Sequence, residues 1–100
     1  MLLHLPIVIL SSFPLTPVAD TVPKFDIARE CKSEGGPQAV LDQCAAAEAQ
    51  ARDQLQAQWG QFSPGDRTVC LQETSTDGSP SYVEFLTCLE MARDVKKSSK

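Results

Sequence analysis

One hundred residues with a net charge of −4, four cysteines and a single histidine make at most one small domain. The only cationic cluster is Lys96, Lys97 and Lys100, so no basic face exists to neutralise phosphates, and nucleic acid is set aside as a partner. A stable membrane span is set aside too, because the apolar run from Leu2 to Leu10 falls well short of the ~20 residues a transmembrane helix needs.

Residues 1–19 carry no acid, lysine or arginine, and every charge in the chain follows Ala19. A short apolar run ending at a small residue reads as a secretory signal peptide, with Ala19 before the cut and Asp20 opening the mature chain. Cleavage there would remove His4, the only histidine. A chain without imidazole cannot build a Ser-His-Asp or Cys-His site, and it loses the side chain best suited to proton transfer near neutral pH.

Residues 20–24 (DTVPK) form an extended lead-in, and residues 25–96 carry the helical domain. Asp26 is placed to cap a helix from Ile27 to about Ser33, with Phe25 as a hydrophobic staple onto the turn of Glu30. Gly35-Gly36-Pro37 ends that helix and opens the next. The longest helix is expected from Gln38 to about Trp59, rich in strong helix formers. Its apolar stripe would be Val40, Leu41, Cys44, Ala47, Ala51, Leu55 and Trp59, continuing to Phe62. Much of that stripe is alanine, which permits close approach of a neighbour but supplies little apolar area, and burial is worth only ~25 cal/mol per square ångström.

Ser63-Pro64-Gly65-Asp66 has the cap and first-turn residues of a third helix reaching about Thr74. Residues 74–80 (TSTDGSP) read as a loop. Ser81 and Glu84 have capping-box spacing, although Ser79 with Pro80 is an equally legal start, and Tyr82, Phe85, Leu86, Leu89 and Ala92 then form the core face of a last helix, with Cys88 on its flank. Residues 97–100 are expected to be a flexible basic tail.

Cys31, Cys44, Cys70 and Cys88 are separated by twelve, twenty-five and seventeen residues. Tetrathiolate zinc sites want close pairs, and a thioredoxin-type site wants C-x-x-C, which is absent. Structural disulfides have no such requirement, and a domain this small buries only about 60–65% of its chain surface and gains from cross-links. Two pairings compete. Cys31–Cys44 with Cys70–Cys88 staples each helix to its neighbour across a turn and is favoured; an up-down-up order would instead bring Cys44 level with Cys88 and leave Cys31 for Cys70.

The C-x12-C run, Leu55 and Trp59 eleven and fifteen residues beyond Cys44, Arg67 three before Cys70, and a Gly/Ser loop leading to Cys88 and Arg93 together resemble the LprI-like family of small secreted lysozyme inhibitors over residues 25–93. That resemblance implies an extracytoplasmic helical binding protein and carries no inhibitory residue over to this chain.

Trp59 and Tyr82 are the candidate partner contacts, since large aromatics anchor interfaces, although a small helical core needs the same side chains inside. Tyr82, in a first helical turn, can reach water with its hydroxyl. Asp42, Glu48, Asp53, Glu73, Glu84 and Glu90 fall on what read as solvated helix faces. Asp77-Gly78 lacks the further oxygens of a calcium loop.

The sequence therefore predicts an all-α, disulfide-stapled bundle of three to four short helices behind a cleaved leader, with no catalytic residue, metal site or cofactor. It would be periplasmic or secreted and would bind a basic protein such as a lysozyme-like hydrolase. A structural or stress-related envelope protein without a soluble ligand, and a cytosolic thiol or metal-binding protein, are the rival expectations.

Overall fold

The computed structural model describes residues 21–98 and arranges them as four helices. α1 spans Ile27–Glu34, α2 Gln38–Gln58, α3 Pro64–Thr74 and α4 Tyr82–Ser98, with one 3-10 turn at Trp59–Gln61 leading from α2 toward α3. No strand occurs among the described residues. The expected leader and His4 lie outside them.

Capping chemistry sets the helix starts. Asp26 Oδ1 accepts the Arg29 N–H at 3.1 Å, and Ser63 Oγ accepts the Asp66 N–H at 3.2 Å with Pro64 in the first turn of α3. Between α1 and α2, Gly35 and Gly36 take φ of 76° and 107°, a region that a side chain makes costly. A Cβ on Gly36 would also crowd Val40 Cγ1 at 3.3 Å. Pro37 then stands just ahead of α2 in an extended conformation, and its carbonyl accepts the N–H groups of Val40 and Leu41.

The core lies where the second half of α2, α3 and α4 meet. Leu55, Phe85 and Leu89 are fully buried there, joined by Ala51, Phe62, Cys70, Tyr82 and Leu86. α4 packs on both α2 and α3, whereas α1 packs on α2 alone. Disulfides Cys31–Cys44 and Cys70–Cys88 are both closed, which decides for the sequential pairing; each joins a helix to its successor. Two closed disulfides are the chemistry of an oxidising, extracytoplasmic compartment.

Four expectations need correction. Phe25 is not a local staple: its ring lies 4.5 Å from Tyr82 and 5.8 Å from Phe85, so it packs into the core across the chain. The stripe on α2 is displaced, since Val40 and Ala47 are exposed and Glu48 is buried in their stead. Among the described residues, α1 is too short to cover the whole first half of α2, and Val40 and Ala47 are left uncovered. α2 itself stops at Gln58, whose backbone at φ −111° and ψ 6° departs from helical values, and Trp59 belongs to the 3-10 turn. Finally, α4 runs through Lys96 and Lys97 to Ser98, so the first two residues of the expected tail are helical, as suits cations at a helix C-terminus, and residues 99–100 lie outside the described residues.

Candidate functional site

The start of α4 is fixed by a carboxylate from another helix. Glu48, only 4% exposed, accepts the Ser81 Oγ–H and the Tyr82 N–H, both at 2.6 Å. A negative group at a helix N-terminus satisfies an orphan donor and opposes the positive end of the dipole. Ser81 Oγ in turn accepts the Glu84 N–H at 3.2 Å, giving one half of the expected capping box. The other half is rerouted. Thr74, at the end of α3, accepts the Ser81 N–H at 2.9 Å, and its single hydroxyl proton is shared between the Ser81 carbonyl and Glu84 Oε1, each 3.2 Å away. Glu48, Thr74 and Ser81 therefore tie α2, α3 and α4 at one point.

Glu30 of α1 lies beside this knot, and its carboxyl is raised from 4.5 to about 7. Burial is the main cause; a hydrogen bond with Glu34 and the negative charges of Glu34, Glu48 and Glu84 act in the same direction. Buried carboxylates were not among the expectations for this chain, in which Glu48 was assigned to a solvated face.

Tyr82 is 2% exposed and its hydroxyl does not reach water. It donates to the Pro23 carbonyl at 2.9 Å and accepts the Phe25 N–H at 2.8 Å, so it clamps the extended lead-in against α4. With both bonds made inside the fold, Tyr82 has no face to offer a partner. The lead-in of residues 20–24 is correspondingly part of the packed structure from Val22 onward, where Val22, Phe25 and Ile27 lie against the core.

Trp59 is half-buried and sits at the outer end of an aromatic series. Phe25 links Tyr82 to Phe85, and Phe85 meets Trp59 edge-on with ring centres 5.8 Å apart. The Arg67 guanidinium lies 4.7 Å over the Trp59 ring and donates to the Trp59 carbonyl at 2.8 Å. Pro23, Trp59, Leu71 and Phe85 bound a groove of about 470 Å³ at this end. The two candidate contacts are thus brought into one series, Tyr82 inside it and Trp59 at its rim.

A comparable arginine–aromatic contact is made at the same α2–α3 connection. Arg93 lies 5.2 Å over Phe62 and donates to Gln58 Oε1 at 2.9 Å, while Lys96 Nζ pairs with Asp66 Oδ2 at 3.0 Å. Among the described residues, no three thiol, imidazole or carboxylate groups converge as a metal ion would require. No described helix is long and apolar enough to cross a membrane.

The sequence carried one signal for Glu48 that a count of apolar positions passes over. Cys44, Glu48, Ala51 and Leu55 follow one another at steps of four, three and four, so the glutamate stands in line with the buried face. Pro23 had no such signal, because its partner Tyr82 lies on the opposite end of the chain. Comparison with protein-family models, with curated proteins and with solved structures gives no match.

Proposed function

We propose that this chain is a secreted binding module that performs no chemistry of its own and engages a basic protein, a lysozyme-like cell-wall hydrolase being the partner its acidity and size suit. The observation that carries this is the pair of closed disulfides in a domain of net negative charge. Disulfides suit an exported protein, and an acidic surface steers a cationic partner toward encounter. The carboxylates at the α4 start support a binding role as well: Glu48 is engaged in capping and Glu84 in the bond to Thr74.

Clearing of a bacterial cell suspension by purified lysozyme, followed by turbidity, tests this. The oxidised protein is expected to slow clearing in proportion to its concentration, and more strongly at low salt because exposed charges are screened within about 10 Å at 0.1 M. Unchanged clearing at a large molar excess of the protein would end the inhibitor assignment.

A further inference from the structure

Negative charge is unevenly placed in this chain. From Thr68 to Ala92 there is neither lysine nor arginine, while Glu73, Asp77, Glu84 and Glu90 all fall in that stretch; outside it acids and bases balance, so the whole net charge of −4 arises there. The same stretch carries most of the α3–α4 pair, joined at Cys70–Cys88, and Glu73, Asp77 and Glu84 stand exposed on it.

That pair is also where apolar groups stay uncovered. Val83, Thr87, Met91 and Val95 recur every fourth residue along α4, and three of them are large hydrophobics left in solvent, Met91 at 63% and Val95 at 66% exposed. Helical spacing of four sets them in one row on the face opposite Phe85 and Leu89. A shallow concavity of about 380 Å³ opens beside the row, bounded by Glu73, Val83, Glu84, Thr87 and Met91. Glu73 Oε1 lies 3.6 Å from Cys88 Sγ, which puts a carboxylate at its edge. Val69, one helical turn before Glu73 on α3, is exposed too.

We infer that the outer α3–α4 face, with Val83 and Met91 as its apolar floor and Glu73, Glu84 and Glu90 around it, is the docking surface for a basic protein that inserts an aliphatic or aromatic side chain flanked by lysines or arginines. Apolar contacts at the centre of such a patch supply most of the affinity, and the surrounding carboxylates set encounter rate and reject acidic surfaces. The α2 surface offers a poorer alternative: it exposes alanines and glutamines and carries no such grouping of acids. This inference rests on the binding-module reading above and adds to it the surface and the character of the partner.

Binding of the oxidised protein to purified lysozyme, measured by calorimetry at low salt, tests it with three paired variants. Val83→Ser with Met91→Ser, and Glu73→Lys with Glu90→Lys, are each expected to weaken binding by about tenfold or more, a change readily resolved in Kd. Asp42→Lys with Asp53→Lys on α2 makes the same change in net charge and is expected to weaken binding by less than about threefold. Circular dichroism checks the fold, which these positions, all exposed except the half-buried Glu90, should leave intact. Equal losses in both charge-reversal pairs with no effect of the serine pair would overturn the surface in favour of overall charge, and so would binding that survives all three pairs. Absence of any lysozyme binding would instead end the hydrolase assignment. A cationic amphipathic peptide of lysine and leucine then serves as the probe: loss of its binding in the first two pairs upholds the surface, and failure to bind it at all overturns it.

Discussion

Cys70 lies within the apolar core, in one cluster with Leu55, Phe62, Phe85 and Leu89, whereas Cys31 is buried outside that cluster, between an eight-residue helix and the exposed first half of α2. The loops they close are similar, with sequence separations of 18 and 13, so the chain-entropy contribution is about 3 kcal/mol for each. Their surroundings differ. Cys70–Cys88 reinforces a contact that α3 and α4 already make through packed side chains. Cys31–Cys44 adds to sparser packing, because among the described helices the backbone of α1 lies close to α2 alone and the helix is too short to persist in water by itself. One kind of bond thus has two structural meanings, decided by how much apolar area lies around it.

The sharpest way to break the comparison is in the core. Phe85→Ala removes a fully buried ring that meets both Phe25 and Trp59, and should cost about 3–5 kcal/mol, with loss of the whole fold in denaturant titration. Cys31→Ser with Cys44→Ser should cost less globally and act locally. Amide exchange is expected to become fast across Ile27–Glu34 while the core amides of α4 stay protected, with a smaller fall in the global unfolding midpoint than Phe85→Ala produces. Equal deprotection of α1 and α4 would show that the two regions are one cooperative unit.

A smaller effect separates the regions by pH. Glu30 keeps its proton in the fold up to about 7 but releases it near 4.5 when unfolded, so the native state binds more protons between those values. Its contribution is fully present below about pH 4.5 and is lost as pH rises through about 7. The loss should be on the order of 1–3 kcal/mol, read as a falling melting temperature between mildly acid and mildly alkaline buffer. Glu30→Gln should flatten that dependence and raise stability on the alkaline side. An unchanged pH profile in the variant would show that the carboxyl is not buried against its acidic neighbours.

Elements governed by local chemistry were legible in the residues: the caps at Asp26 and Ser63, Ser81 as one of two starts for α4, and the core face of α4. Cysteine pairing stayed open because it depends on helix order in space, which periodicity does not encode. The missed features are polar and long-range. Glu48 pairs with Ser81 and Tyr82 more than thirty residues away, and Tyr82 with Pro23 at a separation of 59. A glutamate is ordinarily solvated, and only the donors gathered at the α4 start make its burial favourable. Trp59 was legible as an aromatic of the apolar stripe, but its half-buried place depends on Arg67 stacking over it, a pairing set by the turn between α2 and α3.

The bond between Glu48 and the start of α4 bears on specificity as much as on stability. α2 meets α4 through a face whose buried apolar residues are only Ala51 and Leu55, and a face with so few large side chains has few ridges to oppose sliding by a turn. Moving α4 one turn along α2, about 5.4 Å, would leave Glu48 buried without its donors, a penalty that a slide of apolar surface alone would not incur. A single carboxylate thereby selects one alignment of two helices whose hydrophobic contact would tolerate several.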